Sequence, residues 1–343
     1  MTEKTKAAWP KPRGTNRLTT SDSEKSSTES GIPAIKLGSR GSALALIQDH
    51  VVINRLKANS PALEFEVDTV RTRGDVDQTS RLAGMGLGIF VKELEQELLE
   101  GKLDIAVHSL KDMPTLQPEG LTLGATLDRQ DPRDVLVNRW DCPLDQLPQG
   151  ARIGTSSPRR RAQLMNLCPQ ARVLPIRGSV DTRLNKAKSD DYDGAVLAAA
   201  GLIRLGLTGD ISEYLSAQEF VPPPGQGVLA VEIRTGDHRM ETMLSPVENA
   251  ETRFAITAER AFLEILGGGC QVPVGAYAKS NGEQLVLTVF LASEDGEKCF
   301  RAELRGQPHE PKQLANDAYL ELVEQGAGQL LAQSAANPVS DSD

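Results

Sequence analysis

Cysteine and histidine are scarce, and this argues against two common kinds of cross-link. The 343 residues contain four cysteines and four histidines, all widely spaced and without a Cys-x-x-Cys pair. Such spacing predicts neither a disulfide framework nor a zinc site, so no metal is expected. Unpaired cysteines suit a reducing compartment, and we expect a cytoplasmic protein.

Long apolar runs and an excess of positive charge are also missing. No stretch approaches the roughly 18 consecutive apolar residues of a membrane span, so we expect no membrane partner. The net charge of −9 disfavours nucleic acid as a partner. With 39% hydrophobic and 25% charged residues, the composition is that of a soluble globular protein. The length allows two or three domains.

Both ends of the chain lack the pattern of a folded segment. Residues 1–33 are rich in Ser, Thr, Lys and Glu, which is typical of a disordered leader. They lack the apolar core of a secretory signal, and their acidic residues argue against an organelle transit peptide. We also expect a disordered tail over residues 336–343.

The first part of the chain alternates between strand and helix patterns. Strands are expected at 35–37, 63–72 and 103–107, and helices at 42–59 and 90–100. The turn between the first strand and helix would offer free backbone N–H groups to an anion, and Arg40 would strengthen that site. The segment 74–90 contains the glycine-rich run 84–88, which predicts a mobile flap.

The strand at 103–107 leads into a polar segment, His108 to Pro114. In open α/β sheets, ligands bind outside the carboxyl ends of the strands. Ser109, Lys111 and Asp112 are therefore candidate site residues by position. The alternative is that Lys111 and Asp112 form only a solvated turn.

A second strand-helix unit carries an unusual row of arginines. Strands are expected near Ile153, at 172–176 and at 195–198, with helices at 158–167 and 180–188. From Arg152 to Arg183 there are seven arginines, no lysine and one acid. A guanidinium pairs two-to-two with a carboxylate or phosphate, which indicates an anion site. The alternative is a solvated basic face or an RNA site, although aromatic residues for base stacking are absent.

A proline-rich connector at 220–227 precedes a strand at 228–233. A strand after such a hinge predicts a return to the first lobe's sheet. The third unit is then a small α+β domain, with a helix at 249–266, strands at 272–279, 284–292 and 297–306, and a helix at 311–333. The expected domains are 34–130 with 226–245, then 131–225, and then 246–335.

Three consecutive glycines precede Cys270, between the helix and the first strand of the third unit. Glycine loses more backbone entropy on folding than any other residue, so its repeated use indicates a sharp bend or a close approach to the backbone. A thiol on such a loop is suited to be a nucleophile or a covalent anchor. The alternative is that Cys270 is a small buried hydrophobe, as most free cysteines are.

Eight short stretches together identify a family resemblance. They are 38–42, 72–75, 108–112, 154–160, 177–179, 200–207, 224–227 and 268–273. From about Ile35 to Ala332 the chain resembles porphobilinogen deaminases, also called hydroxymethylbilane synthases. The resemblance implies two lobes like those of type II periplasmic binding proteins, joined by a hinge, and a small C-terminal α+β domain.

The resemblance also implies a chemistry. Such a transferase condenses porphobilinogen head to tail, with loss of ammonia, on a dipyrromethane primer bound through a thioether to Cys270. The product is the linear tetrapyrrole hydroxymethylbilane. We expect the protein to be a monomer.

The residues expected at the site follow from the matching motifs. The implied cofactor-binding residues are Cys270, Ser42, Ser109, Lys111, Asp112, Thr155, Ser156, Ser157, Arg159, Arg160 and Arg183. The implied substrate-binding residues are Arg40, Arg177, Ser179, Arg183 and Arg204. Three other arginines match no such role and are expected to be structural or exposed: Arg152, Arg161 and Arg172.

Asp112 is the expected catalytic residue. The amine of porphobilinogen leaves as ammonia and needs no strong acid, but cationic character develops at the pyrrole as the carbon–nitrogen bond breaks. A carboxylate beside the pyrrole nitrogen would stabilise that azafulvenium-like cation. Two departures from the family pattern affect nearby positions: Leu87 replaces a basic residue of the flap, so no ligand contact is assigned there, and Ser179 stands where asparagine is frequent.

Two other functions share some of these features. A non-catalytic two-lobed anion-binding protein would have the hinge and the arginines, but no use for Cys270. An enzyme acting on a phosphorylated metabolite would use the helix start at Ser156–Arg160, yet no Walker-type run accompanies it.

Overall fold

The computed structural model describes residues 34–70, 91–267 and 273–331. The expected leader, the flap, the Cys270 loop and the expected tail lie outside these ranges. Within them the chain forms three sheets and the helices that cover them.

Lobe 1 is built on a five-stranded sheet. In chain order its strands are β1 (Ile35–Ser39), β2 (Phe65–Thr69), β3 (Ile105–Ser109), β4 (Leu121–Thr126) and β10 (Leu229–Arg234). The spatial order is β2-β1-β3-β10-β4, with β1 parallel to its two neighbours and β10 antiparallel to β3 and β4. Its helices are α1 (Ala43–Asn59), α2 (Lys92–Leu99) and α6 (His238–Leu244).

Lobe 2 repeats this plan. Its strands are β5 (Asp134–Asn138), β6 (Arg152–Gly154), β7 (Arg172–Leu174), β8 (Gly194–Ala198) and β9 (Glu213–Tyr214). The order is β7-β6-β8-β5-β9, with β5 antiparallel to β8. Its helices are α3 (Pro158–Leu167), α4 (Val180–Ala187) and α5 (Ala199–Arg204). β10 and β5 are each the first strand after the chain crosses from the other lobe. Each is fourth in its sheet as ordered above and runs antiparallel to both neighbours.

Domain 3 is a three-stranded antiparallel sheet with two helices. It consists of α7 (Ala250–Ile265), β11 (Val274–Ser280), β12 (Leu285–Ala292), β13 (Cys299–Gly306) and α8 (Pro311–Leu322). Phe262 of α7 and Leu322 of α8 pack with Leu287 and Val289 of β12 in one apolar core. Burial of such side chains, roughly 1.5–3 kcal/mol each, holds the helices on the sheet.

The arrangement confirms the expected fold class of two α/β lobes and a small C-terminal domain. The return of the chain to lobe 1 is confirmed, because β10 lies between β3 and β4. Helix starts match their sequence signals: Ser42 accepts a hydrogen bond from Ala45 N, Ser157 from Arg160 N and Asn249 from Thr252 N.

Some element boundaries were wrong. The third strand extends to Ser109 instead of ending at Val107, because β10 pairs with His108 and Ser109. The last helix does not run unbroken to 333: after Leu322 it widens into a five-residue turn that contains Gly326 at φ 103°, a left-handed conformation that glycine tolerates. Five elements were missed: the strands β4, β5 and β9 and the helices α5 and α6.

No helix within the described ranges has both the length and the apolar character that a membrane crossing requires.

Candidate functional site

A single 3₁₀ turn, Leu110–Asp112, directly follows β3. Leu110 is buried, and its N–H donates to Val228 O at 3.0 Å, which ties the turn to the return crossing, residues 215–228. Gly225 lies against Leu110 at φ 75°, where a Cβ would come within 2.8 Å of the leucine Cγ. Only glycine therefore lets the return crossing pack against the turn.

A cavity of about 210 Å³ lies where both lobes and domain 3 meet. Lobe 1 contributes Lys111, lobe 2 contributes Arg159, and the return crossing contributes Pro224. Domain 3 contributes Arg260 and Pro273. Pro273 is the first described residue after 267, and it lies in the wall of this cavity.

A second pocket adjoins the first and is lined mainly by lobe 1. Its lining includes Arg40, Ser42, Ser109 and Asp112, and it shares Met113 with the larger cavity. The structure therefore brings the expected anion turn after β1 and the turn after β3 to one end of the sheet. Asp112 is exposed there.

The two arginines at the start of α3 share one carboxylate. Arg159 Nη2 donates to Asp134 Oδ2 at 2.7 Å, and Arg160 Nη2 donates to Asp134 Oδ1 at 2.7 Å. All three side chains are buried. Burial raises the pKa of Asp134, but the adjacent Arg159 and Arg160 guanidiniums outweigh it and hold that pKa well below its usual range. Two cations on one anion leave this cluster with net positive charge.

Lys111 approaches the same cluster from lobe 1. Its Nζ donates to Gln226 Oε1 at 3.2 Å, and Gln226 Nε2 donates to Asp134 Oδ1 at 3.0 Å. Burial lowers the pKa of Lys111 to about 8, with Arg160 and Arg159 acting in the same direction and Asp112 and Asp134 opposing them. A cation that is easily neutralised thus lies beside two permanent ones.

The remaining candidate arginines lie around this centre. Arg183 Nε donates to Gly178 O at 2.7 Å. Burial and the nearby Arg160 lower the pKa of Arg183, whereas Asp112 raises it. Arg183 therefore lies close enough to both charges to interact with them. Arg204 Nη2 donates to Gly227 O at 2.8 Å, and burial lowers its pKa to about 10. Arg40 and Arg177 are half-buried.

The candidate hydroxyl groups make local hydrogen bonds. Ser109 Oγ accepts from Gln48 Nε2 at 2.8 Å, and Ser156 Oγ donates to Ile176 O at 2.9 Å. Thr155 Oγ1 accepts from Ser157 N at 3.2 Å. Ser179, which occupies the position where the family often has asparagine, contacts the Thr182 hydroxyl at 2.8 Å.

The other arginines of the row lie elsewhere. Arg152 pairs with Asp193, with Nη2 to Oδ1 at 2.9 Å, and so stabilises lobe 2. Arg161 and Arg172 are exposed. Composition alone did not separate these from the buried arginines.

Sequence reasoning missed three residues of the site. Asp134, Gln226 and Arg260 received no role, although Gln226 lies in a connector that the sequence singled out. Arg260 Nη2 donates to Pro114 O at 2.6 Å and Thr115 O at 2.9 Å, so it holds the segment after the lobe 1 turn. No local pattern marks these residues, because each partner is distant in the sequence.

Comparison with known proteins gives the family. The model "Porphobilinogen deaminase, dipyromethane cofactor binding domain" matches residues 35–242, and "Porphobilinogen deaminase, C-terminal domain" matches 253–324. The chain belongs to the porphobilinogen deaminase family. The porphobilinogen deaminase of Alkaliphilus metalliredigens is 46% identical over 87% of this chain and 94% of its own, and that of Thermus thermophilus is 45% identical over 87% and 98%.

A solved structure of the methionine-binding protein MetQ is also similar to this chain. It has a TM-score of 0.39 and 11% identity, and covers 69% of this chain and 96% of its own.

Membership of the porphobilinogen deaminase family gives the reaction class. The enzyme is a transferase of tetrapyrrole biosynthesis that uses porphobilinogen to form hydroxymethylbilane, and it has a dipyrromethane cofactor. The residues at the cavity fit such a cofactor, because pyrrole carboxylates require cations. Lys111, Arg159 and Arg260 line the cavity, and Asp134 offsets only one of the two charges on Arg159 and Arg160.

Proposed function

We propose that this enzyme anchors its dipyrromethane through Cys270 and joins porphobilinogen units in the cleft formed by the two adjacent pockets. One observation carries the proposal. The Lys111–Asp112 turn of lobe 1 and the Arg159–Arg160 helix start of lobe 2 meet at a cavity whose wall includes Pro273. A thiol three residues before Pro273 is close enough along the chain to reach that cavity.

The cationic side chains hold carboxylates in this proposal. Each pyrrole ring carries an acetate and a propionate, so the growing chain accumulates negative charge. Lys111, Arg159, Arg160 and Arg183 bind the cofactor, with hydroxyl groups from Ser42, Ser109, Thr155, Ser156 and Ser157 beside them. Arg40, Arg177, Arg183, Arg204 and Ser179 bind the substrate. Charge-assisted hydrogen bonds of this kind contribute about 1.5–3 kcal/mol each where water is excluded.

Asp112 performs the electrostatic part of catalysis and is also a cofactor ligand. Its carboxylate stabilises the positive charge that develops on the substrate pyrrole while the bond to the departing amine breaks. The proton released when the new carbon–carbon bond forms leaves with the ammonia as ammonium, so atoms and charge balance. When bound, the dipyrromethane supplies the free pyrrole carbon to which the first substrate unit is joined.

The remaining assignments are also proposals. We assign residues 34–130 with 226–245, 131–225 and 246–335 to three domains, in agreement with the three sheets. We assign the enzyme to the cytoplasm as a monomer without nucleic acid. A negative net charge supports the last point, as does the burial of Arg159 and Arg160, which removes them from any basic surface.

The experiment is a turnover assay on Cys270→Ser, with Cys299→Ser as the matched control. Cys299 is a half-buried cysteine of the same domain. Wild type and the control should consume porphobilinogen and release one ammonium for each pyrrole ring joined. Cys270→Ser should form no tetrapyrrole. Tetrapyrrole formation by Cys270→Ser at the wild-type rate would contradict the anchoring role.

A further inference from the structure

Gln226 connects the two lobes through a single buried amide. Its side chain is 1% exposed and makes three hydrogen bonds. Nε2 donates to Pro132 O at 2.8 Å and to Asp134 Oδ1 at 3.0 Å, and Oε1 accepts from Lys111 Nζ at 3.2 Å. Its main-chain carbonyl accepts from Arg129 Nε at 3.0 Å. The amide thus lies between the lysine of lobe 1 and the carboxylate of lobe 2.

These contacts fix the orientation of the amide. Pro132 O and Asp134 Oδ1 can only accept hydrogen bonds, so the NH₂ group must face them. The oxygen of Gln226 then points at Lys111 and offers it an acceptor. In a flipped amide, Oε1 would face the oxygens of Pro132 and Asp134, and the NH₂ group would face the Lys111 ammonium. Buried polar groups would then lack hydrogen-bond partners.

We propose that Gln226 is a positioning residue, which holds the Lys111 ammonium in register with the Arg159–Asp134–Arg160 cluster so that both lobes present their cations to one cavity. The proposal rests on the proposed function of that cavity as the cofactor site. It adds a residue that makes no assigned contact with cofactor or substrate and acts through Lys111.

The charge balance explains why Lys111 depends on this acceptor. Lys111 is half-buried, and its ammonium lies near the guanidiniums of Arg159 and Arg160, which are also positive. The two nearby carboxylates are Asp134, already shared by the arginines, and Asp112 in the adjacent turn. The Gln226 oxygen, by contrast, is an uncharged acceptor, and it is held in place because Nε2 of the same amide donates to Pro132 O and Asp134 Oδ1. Its removal should make the ammonium form less stable and release the side chain from its position.

The test is pH-dependent labelling of Lys111 in the holoenzyme. Trace acetic anhydride acylates the neutral amine, and peptide mass spectrometry gives the labelling midpoint of Lys111. The variant is Gln226→Met, which keeps the length of the side chain without its hydrogen bonds. The control is Gln163→Met, because Gln163 is also 1% exposed and bonds the same return crossing, at Val221 N (2.7 Å) and Val221 O (3.1 Å).

In Gln226→Met the midpoint should fall by about one pH unit, since a hydrogen bond to a charged group is worth about one such unit or more. In Gln163→Met it should equal the wild-type midpoint, even if the protein is equally destabilised. An unchanged midpoint in Gln226→Met, or an equal fall in Gln163→Met, would overturn the positioning role.

A second variant covers the case in which Gln226→Met does not fold. Gln226→Asn keeps an amide that is one methylene shorter, so it cannot bridge Asp134 and Lys111, and its midpoint should also fall. A wild-type midpoint in Gln226→Asn would contradict the proposal. The intact mass of the wild-type protein tests the proposed function separately. If it shows no pyrrole adduct, the proposed cofactor site is wrong, whereas the labelling midpoints still test whether Gln226 positions Lys111.

Discussion

The guanidinium of Arg129 and the carboxylate of Glu259 face each other through two hydrogen bonds, 2.6 Å from Nη1 to Oε1 and 2.7 Å from Nη2 to Oε2. Glu259 is fully buried and also accepts from the N–H groups of Gly225 and Ala278, each at 2.7 Å. Arg129 lies in the connection that leads from β4 of lobe 1 to β5 of lobe 2, Gly225 lies in the return crossing, and Ala278 lies in β11 of domain 3. One carboxylate therefore joins the hinge to the third domain.

Replacing Arg129 should destabilise the whole protein. Arg129→Gln leaves the buried Glu259 charge without its partner, so we expect the free energy of unfolding to fall by about 3–5 kcal/mol. The control is Arg55→Gln, because the Arg55–Asp128 pair is more than half exposed on both sides and should contribute less than about 1 kcal/mol. Urea denaturation measures both. Equal losses would contradict the importance assigned to the Arg129–Glu259 pair.

Asp134 should make stability sensitive to acid. Its pKa is held below the ordinary value in the fold, so the stability it contributes is fully present above the unfolded pKa of about 3.9 and is lost as the pH falls from there toward the folded pKa. In urea melts between about pH 5 and pH 2, Asp134→Asn should lose less stability than wild type. Parallel pH profiles for the two proteins would show that another group controls the acid limb.

Lys111 should make anion binding sensitive to alkali. Burial lowers its pKa to about 8, so the side chain loses its charge as the pH rises through that value. A bound carboxylate favours the charged form, so binding near pH 8–9 should take up a proton. Because Lys111 is assigned to the cofactor carboxylates, the rate at which the apoenzyme acquires its dipyrromethane from porphobilinogen should fall above pH 8 in wild type and stay flatter in Lys111→Met. The same slope in both proteins would exclude Lys111 as the group responsible.

Asp112→Asn should separate turnover from binding. The change keeps the size of the side chain but removes the charge that stabilises the developing cation. We expect kcat to fall by far more than tenfold, where tenfold alone corresponds to about 1.4 kcal/mol in the activation free energy. The KM should change little. Asp145→Asn is the control, since Asp145 is an exposed acid on the similar 3₁₀ turn Leu144–Gln146. Turnover of Asp112→Asn within about tenfold of wild type would contradict the catalytic role.

Local signals in the sequence predicted most of the fold. Ser42, Ser157 and Asn249 start helices because a side-chain oxygen can accept a backbone N–H in the first turn. The proline-rich connector correctly placed β10 in the sheet of lobe 1. Helix α6 was missed because it is only seven residues long, and its two buried residues, Met240 and Leu244, are too few to show helical periodicity.

The site was less predictable because its contacts span long distances along the chain. The arginine row gave the charge of the cluster, but not that Arg159 and Arg160 share Asp134, 25 and 26 residues earlier. Gln226 contacts Lys111 across 115 residues. Sequence spacing carries no signal for such pairs, since the crossings between the lobes bring them together only in the folded chain.

The most direct test of the central claim is the mass of the purified protein, followed by peptide mapping of its cysteines. The account predicts a dipyrromethane adduct carried by the peptide that contains Cys270, with further pyrrole units added after brief exposure to porphobilinogen. An active enzyme with unmodified Cys270, or with the adduct on Cys142, Cys168 or Cys299, would contradict it.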